Sequence, residues 1–291
     1  MKALQDAGLL ALIMNSIFTS KHYKPYKFTW DLIDNHRKAF DTQYNYADAQ
    51  VLLQLSLMVT SSNFAEKTLE TPDWLTSAPL RYNVCPSALI ANNMPDSYLN
   101  KASNLVHVLY SERDNKLFII FSGTSNGCMG FLDLEYMQTD LTDVVNYRPG
   151  IRGHRGIHVA YQSIRPQLIN IFDKYINRQP QIIISGHSLG GGLSQLCALD
   201  LAFYNPIHYS FAAPLVFNPL GTDVFNKIVK TSYRVANGSD LVTLLPLPVM
   251  VNDDVFCHVG RLVYFQRNFG DYGKNHSNAY IQEYNLNAYD Y

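Results

Sequence analysis

The sequence predicts an α/β fold in which helices cover both faces of a mostly parallel central sheet. Strand-like apolar runs alternate with helix-compatible segments between residues 105 and 236, as in chains that build parallel sheets. The β-branched run at 182–184 passes through a glycine-rich turn into an apolar, helix-compatible segment. At 291 residues, 47% of them hydrophobic, the chain can fill one large core but is short for two enzyme domains.

The N-terminal part of the chain precedes this alternating region. Residues 1–40 are interpreted as a helical extension, with one or two short helices, and residues 41–291 as a single domain. Apolar residues at helical spacing predict a helix over 47–64. Four prolines between 70 and 100 predict a broken loop there.

The predicted elements of the domain follow from local patterns of apolar and turn-forming residues. Strands are expected at 105–110, 116–122, 181–185, 208–212, 232–236 and 262–265. Helices are expected at 161–176, 192–204 and 223–230, with a further helix after residue 276.

Charge and cysteine usage exclude several classes of function. The net charge is −1, from 23 basic and 24 acidic residues, so we expect no nucleic-acid partner. The four cysteines are widely spaced and lack Cys-x-x-Cys pairs, which argues against a zinc site. We expect no metal and no cofactor. The cysteines are Cys85, Cys128, Cys197 and Cys257.

The first twenty residues are interpreted as an amphipathic helix. Residues 9–18 are apolar and follow Lys2, as in a signal peptide, but Asp6, Asn15 and Ser16 interrupt the pattern. This favours an intracellular protein, which would be secreted if residues 1–20 act as a signal. No run reaches the ~18 apolar residues of a membrane span, so no transmembrane segment is expected.

Gly186-His187-Ser188-Leu189-Gly190 is the motif that carries chemistry. A Gly-x-Ser-x-Gly turn between a strand and a helix presents its serine on a strained bend, where it can act as a nucleophile. Both glycines are required because a side chain would collide with the neighbouring backbone. The flanking strand and helix patterns favour this over an ordinary serine in a glycine-rich turn, and they make Ser188 the predicted nucleophile.

A serine nucleophile needs a histidine base and a carboxylate that orients it. Where the serine lies on this kind of turn, the acid and then the histidine follow it in the chain. Asp240 comes directly after a predicted strand, where catalytic groups of parallel sheets lie, although an Asx-turn would also explain it. The rival acids, which are surface candidates or lie within a helix, are Asp200, Asp223, Asp253 and Asp254.

Three histidines follow the serine. His208 precedes the acid, which breaks the expected order. His276 lies in a glycine-containing segment interpreted as a mobile loop, from which a base could reach the serine. His258 lies near the start of a strand and is the alternative. For the oxyanion hole, two backbone N–H groups are needed; the candidates are Leu189, after the nucleophile, and Thr124, after the turn that ends an earlier strand.

Together these segments resemble the class 3 (fungal-type) lipase family of α/β-hydrolases. Residues 186–191 are similar to its Gly-His-Ser-Leu-Gly-Gly segment, and residues 121–124 to its Phe-Arg-Gly-Thr/Ser strand, with Ser122 where arginine is usual. Residues 156–161 resemble its Val-His-x-Gly-Phe segment, with Ala160 in place of glycine. Residues 233–242, followed by Leu245-Pro246, match its acid-bearing block. The resemblance covers about residues 45–285.

The resemblance also bears on the histidines. His258-Val259-Gly260 is similar to a His-x-Gly segment that is not catalytic in the family. The spacing of His276 and Tyr280 resembles the His-x-x-x-Tyr that carries the base. The resemblance therefore implies Asp240 as the acid and His276 as the base.

The resemblance implies an ester hydrolase that acts on a lipid or ester substrate, at a lipid–water interface, as a monomer. It also implies a lid over residues 126–138, for which a permanently packed surface helix is the alternative. Phospholipase A1, monoacylglycerol lipase and non-lipid esterase activities remain open, as does an inactive lipid-binding protein. The lid candidates are Met129, Phe131, Leu132, Leu134, Tyr136 and Met137.

Overall fold

The computed structural model describes residues 29–64, 69–82, 103–124, 137–144, 149–246 and 254–286. The strands of these residues are β1 (Leu75–Tyr82), β2 (Ser103–Ser111), β3 (Lys116–Phe121), β4 (Gln138–Asp140), β5 (Arg152–His154), β6 (Gln181–His187), β7 (Ile207–Phe211), β8 (Thr231–Asn237) and β9 (Arg261–Phe265). The helices are α1 (Asp31–Asn35), α2 (Tyr46–Phe64), α3 (Arg155–Ile176), α4 (Leu189–Asp200), α5 (Pro219–Ile228), α6 (Tyr272–His276) and α7 (Asn278–Glu283), with 3-10 turns at Ala202–Tyr204 and Leu241–Leu244.

The central sheet has the order β1-β2-β3-β6-β7-β8-β9. In this sheet β1–β2 and β2–β3 are antiparallel pairs, whereas β3–β6, β6–β7, β7–β8 and β8–β9 are parallel pairs. β4 and β5 form a small separate ribbon. The carboxyl ends of the parallel strands therefore meet along one edge of the sheet, where catalytic loops of α/β proteins lie.

Helices cover both faces of this sheet, which confirms the predicted fold class. Along β6, Ile182 and Ile184 face the cluster formed with α3, α4 and α5, whereas Ile183 faces the cluster formed with α2 and α7. Alternate residues of a strand point to opposite faces. A strand buried on both faces is apolar throughout, which explains why β6 lacks polar alternation.

The predicted loop over residues 70–100 is wrong at its start, because β1 occupies Leu75–Tyr82. Pro79 lies within this strand and pairs with His107 of β2. Proline cannot donate a ladder hydrogen bond and is tolerated in an edge strand, where one side of the backbone is unpaired. Among the described strands β1 is at the edge of the sheet, so the proline did not exclude it.

Several predicted helix boundaries also differ from the structure. α3 begins at Arg155, where the His154 side chain caps the helix, and α4 begins directly after Ser188. α5 begins at Pro219 because the Asn218 side chain accepts a hydrogen bond of 2.9 Å from the Gly221 N–H. An asparagine cap followed by proline is a readable start signal for a helix.

The proposed division of the chain at residue 40 stays a prediction. The described part of the extension, from residue 29, contacts the β2–β3 hairpin closely. Ile33 and Phe40 are buried in the core, and the buried Lys116 Nζ donates to the carbonyls of His36 and Lys38. Residues 1–28, including the predicted amphipathic helix, lie outside the described residues. Among the helices that the structure does describe, none has the length and apolar character needed to cross a membrane.

Candidate active site

Ser188 lies at the tight turn between β6 and α4. Its backbone has φ 61° and ψ −129°, a combination that a residue with a side chain adopts only under strain. A Cβ on Gly186 would lie 2.1 Å from the Gly190 carbonyl oxygen, and one on Gly190 would lie 2.4 Å from that of Phe121. The glycines thus allow three backbone segments to approach closely enough to form the turn.

Ser188, His276 and Asp240 form a hydrogen-bonded chain. His276 Nδ1 lies 3.0 Å from both carboxylate oxygens of Asp240, and its Nε2 lies 2.9 Å from Ser188 Oγ. Since a carboxylate only accepts, Nδ1 carries the proton and Nε2 is free to accept from the serine hydroxyl. All three residues are buried. The arrangement is that of a base poised on a nucleophile and oriented by an acid.

Asp240 is held from several sides. It follows β8 and caps the 3-10 turn Leu241–Leu244, with Oδ1 accepting from the Val242 N–H at 3.0 Å. Oδ2 accepts from the Tyr280 hydroxyl at 2.9 Å. These donors fix the direction in which the carboxylate faces His276.

His276 ends the short helix α6, so the predicted mobile loop is wrong at this residue. The Asp271 side chain caps α6 by accepting from the Lys274 N–H at 2.8 Å. Asn237, the last residue of β8, donates from Nδ2 to the Asn275 carbonyl at 2.9 Å. The base is thereby tied to the same strand end that precedes the acid.

His187 holds His276 from the other side. Its Nε2–H donates to the His276 carbonyl at 2.8 Å, and the two rings lie 4.8 Å apart. Burial, together with the nearby His276, lowers the pKa of His187 to about 3, so the ring stays neutral. His187 and Tyr280 were missed as site residues. Both belong to segments noted in the sequence, but their partners are distant along the chain.

The loop after β3 approaches the start of α4. A Cβ on Gly190 would lie 2.8 Å from the Ser122 carbonyl carbon, and the Gly123 N–H donates to Thr60 Oγ1 at 2.8 Å. The N–H of Gly123 thus already has a hydrogen-bond acceptor. Leu189, the first residue of α4, has an N–H without an intrahelical acceptor by position. Both predicted oxyanion donors, Thr124 and Leu189, are buried.

The alternative bases have other partners. His258 Nε2 donates to the Thr243 carbonyl at 2.8 Å, and burial together with the nearby Arg234 lowers its pKa to about 4. His208 lies between the hydroxyls of Ser194 and Ser232, at 3.0 and 2.8 Å, and burial lowers its pKa to about 3. These contacts are structural hydrogen bonds.

Two of the rival acids make ion pairs away from this chain of hydrogen bonds. Asp200 accepts from Arg165 at 2.7 and 2.9 Å, and Asp254 lies 3.6 Å from Arg152. Asp223 is exposed on α5. Asp253 lies outside the described residues. The contacts of the described rivals therefore leave Asp240 as the carboxylate at His276.

The predicted lid falls almost entirely outside the described residues, which resume at Met137. That side chain is 61% exposed. Over the described ranges, no three His, Cys, Asp or Glu side chains are grouped as a metal site would require. Cys197 and Cys257 are free thiols, whereas Cys85 and Cys128 are not among the described residues.

Comparison with known proteins gives a consistent result. The model of the family described as Lipase (class 3) matches residues 118–250, which include Ser188 and Asp240. A lipase of Rhizomucor miehei is 28% identical over 153 residues, which are 48% of this chain and 40% of that protein. The chain thus aligns with about two fifths of that relative's length.

Solved structures share the fold. The mono- and diacylglycerol lipase of Aspergillus oryzae superposes with a TM-score of 0.57 at 20% identity, over 78% of this chain and 81% of that one. The Rhizomucor miehei lipase in its propeptide complex has a TM-score of 0.56 at 17% identity, over 82% and 81%. The chain has the α/β-hydrolase fold, and its residues 118–250 match the class 3 lipase family.

Proposed function

We propose that this protein hydrolyses carboxylic esters, and that its substrates are acyl esters of glycerolipids. One observation carries the proposal: Ser188 Oγ lies 2.9 Å from His276 Nε2 while Nδ1 of the same ring lies 3.0 Å from Asp240. This geometry activates a hydroxyl for attack on a carbonyl carbon. We assign Ser188 as nucleophile, His276 as base and Asp240 as the orienting acid.

In the first half of the reaction, Ser188 Oγ attacks the ester carbonyl as His276 takes the hydroxyl proton. Asp240 stabilises the imidazolium that forms. Negative charge develops on the carbonyl oxygen, and we assign the N–H groups of Thr124 and Leu189 as its donors. His276 then gives its proton to the leaving alcohol, which leaves an acyl group on Ser188.

In the second half, water takes the place of the alcohol. His276 removes a proton from the water as it attacks the acyl carbon, and the same two N–H groups receive the oxyanion. Collapse of this intermediate returns the proton to Ser188 and releases the carboxylic acid.

The substrate class rests on likeness to other proteins. The relative from Rhizomucor miehei is a lipase, and the structural neighbour from Aspergillus oryzae is a mono- and diacylglycerol lipase. Lipase substrates are lipids or esters. We further propose that this protein meets its substrate at a lipid–water interface and acts as a monomer.

The test compares the parent protein with Ser188→Ala on a short-chain and a long-chain p-nitrophenyl ester, emulsified triacylglycerol and phospholipid. We expect Ser188→Ala to lower kcat by at least about 10⁴-fold with the fold intact. Ser163→Ala is the matched control. Its hydroxyl donates to the Ala160 carbonyl on α3, at 2.6 Å, and its loss should leave kcat unchanged.

The substrate panel separates the alternatives. Faster hydrolysis once triacylglycerol forms an emulsion would support the interfacial assignment, and turnover of soluble short esters alone would replace it with a general esterase. Preference for phospholipid would indicate a phospholipase. Absence of Ser188-dependent turnover and of fluorophosphonate labelling would overturn the enzymatic proposal in favour of a lipid-binding protein.

A further inference from the structure

Arg234 is a half-buried cation on β8 that lacks an acidic partner in the part of the chain that the structure describes. Its Nε is buried and makes no hydrogen bond to any described residue. Burial lowers the pKa of Arg234, and Tyr280, a neutral phenol at working pH, is the group that offsets this effect. Buried guanidinium groups are normally paired with carboxylates, so this environment calls for an anion.

The sheet register places two neighbours beside Arg234 on the same face. Arg234 is aligned with Ser210 of β7 and with Leu262 of β9, and adjacent strands lie about 4.8 Å apart. Ser210 is fully buried, and its hydroxyl makes no hydrogen bond within the described residues. Leu262 is apolar and half exposed. Of the two described neighbours of the arginine, one thus carries an unused hydroxyl donor and the other carries no acid.

His258 supplies a third unused polar atom. Its Nε2 faces the Thr243 carbonyl, which only accepts, so Nε2 carries the proton and Nδ1 is an acceptor. Nδ1 is buried and has no partner among the described residues. The positive charge of Arg234 contributes to the lowered pKa of His258.

We propose that Arg234, Ser210 and His258 form a binding site for a phosphate group that carries at least one P–OH. The guanidinium and the serine hydroxyl donate to its oxygens, and the P–OH donates to His258 Nδ1. The planar guanidinium matches the geometry of both phosphate and carboxylate, so it does not distinguish them. The histidine acceptor discriminates, because carboxylates, sulfate and phosphodiesters have no hydrogen to donate.

The uncovered part of the sheet provides access to this site. Leu262 and Tyr264 lie on the same face of the edge strand β9 and are 53% and 60% exposed. Within the described residues, a ligand can therefore approach Arg234 from the edge of the sheet formed by β9. The site uses none of Ser188, His276 or Asp240, so it is independent of the proposed ester hydrolysis.

The first test measures binding of inorganic phosphate and of sulfate by calorimetry and by the shift in Tm, at equal ionic strength and about pH 6. The Ser188→Ala protein serves equally well and removes any turnover. We expect phosphate to bind at least about tenfold more tightly than sulfate, since sulfate leaves a buried acceptor unsatisfied. Equal affinities, or no binding of either ion, would overturn the proposal.

Two substitutions at one position test the location. Leu262→Glu places a carboxylate beside Arg234, which should raise Tm and reduce phosphate affinity at least about tenfold by occupying the guanidinium. Leu262→Gln has nearly the same size without the charge and should retain phosphate binding. Undiminished phosphate binding by Leu262→Glu would show that the ion binds elsewhere, against the proposal.

A second pair of ligands distinguishes a lipid headgroup from a soluble phosphomonoester as the source of the phosphate. Vesicles of phosphatidylcholine that contain phosphatidic acid present a phosphomonoester, whereas vesicles of phosphatidylcholine alone present only phosphodiesters. Binding to the first kind of vesicle alone, weakened in Leu262→Glu, would assign a lipid headgroup as the source of the phosphate. Binding of free phosphate without vesicle binding would assign a soluble phosphomonoester. Equal binding to both kinds of vesicle that Leu262→Glu leaves unchanged would contradict the proposed selectivity.

Discussion

The Tyr280 hydroxyl donates to Oδ2 of Asp240 at 2.9 Å while accepting from the Asn237 N–H at 3.0 Å. Tyr280 is fully buried, and its ring meets those of Phe265 and His187 edge-on at 5.1 and 5.6 Å. Burial, with the neighbouring carboxylate, raises the pKa of Tyr280 well above 10, so the hydroxyl remains a donor. Tyr280 thus joins the acid loop to the helix that follows His276, as a positioning residue.

We expect Tyr280→Phe to lower kcat about five- to twentyfold, with KM unchanged within about twofold. The phenylalanine keeps the packing but removes a hydrogen bond to a charged group, of which about 1–2 kcal/mol bears on the orientation of Asp240. The measurement is steady-state hydrolysis of a soluble p-nitrophenyl ester.

Tyr284→Phe is the matched control, because Tyr284 is also buried and its hydroxyl lies 2.8 Å from that of Tyr44, away from Asp240. It should lose comparable stability and keep its kcat. If the two variants lost kcat equally, Tyr280 would have only a structural role.

The second prediction concerns the glycine at position 186. A Cβ there would lie 2.1 Å from the backbone oxygen of Gly190, which cannot move without opening the turn. We expect Gly186→Ala to reduce the free energy of unfolding by more than about 4 kcal/mol and to abolish Ser188 labelling. Urea denaturation and fluorophosphonate labelling measure the two effects.

Gly192→Ala provides the comparison within the same segment. There the nearest atom to a Cβ is Ile157 Cδ1, at 2.7 Å, the flexible end of a side chain. Alanine also favours the helix by about 1 kcal/mol, so this variant should stay within about 1 kcal/mol of the parent. A Gly186→Ala protein as stable as Gly192→Ala would refute the steric account of the turn.

The third prediction concerns the effect of the buried neutral histidines on stability at acid pH. His187 and His208 have pKa values lowered to about 3 by burial, whereas an unfolded histidine titrates near 6.5. Between these values the unfolded state binds more protons, so stability falls as the pH falls. Each residue should contribute a slope of about 1.4 kcal/mol per pH unit below about pH 6.

Urea denaturation of the parent and of His208→Gln at several values between about pH 7 and pH 4 measures this slope. Glutamine does not titrate, so unfolding of the variant should take up about one proton fewer than unfolding of the parent, and its slope should be correspondingly smaller. A lower stability of the variant at neutral pH does not affect this slope. Parallel curves for the two proteins would show that His208 takes up its proton in the folded state.

Local patterns predicted the parts of the fold that depend on neighbouring residues. The central strands, the turn at Ser188 and the position of Asp240 after β8 are each encoded within a few residues. Accordingly, the α/β class is confirmed, residues 118–250 match the class 3 lipase family, and His276 lies within hydrogen-bond distance of both Ser188 and Asp240. Their catalytic roles stay a prediction.

Long-range contacts explain what the sequence did not reveal. β1 contains Pro79, which is tolerated because β1 is at the edge of the sheet among the described strands. His276 was expected in a mobile loop because the contacts that order α6 come from residues far away in the chain, including Asn237. The same holds for His187 and Tyr280, whose partners are set by tertiary packing.

The last prediction concerns the N-terminal segment that the division at residue 40 separates from the domain. Lys116 Nζ is buried and donates to the carbonyls of His36 and Lys38, at 3.0 and 2.5 Å. We expect Lys116→Met to leave both carbonyls without this donor and to lower the free energy of unfolding by about 1–3 kcal/mol. Cleavage by a protease within residues 29–40 should become faster.

Lys174→Met is the control, since Lys174 is exposed on α3 and the same change there removes no buried contact. Limited proteolysis followed by mass spectrometry identifies the bonds that are cut. Faster cleavage in Lys116→Met alone would show that Lys116 fastens the segment to the hairpin, so that residues 29–40 belong to the folded domain. Equal cleavage in both variants would show that Lys116 does not fasten the segment to the hairpin.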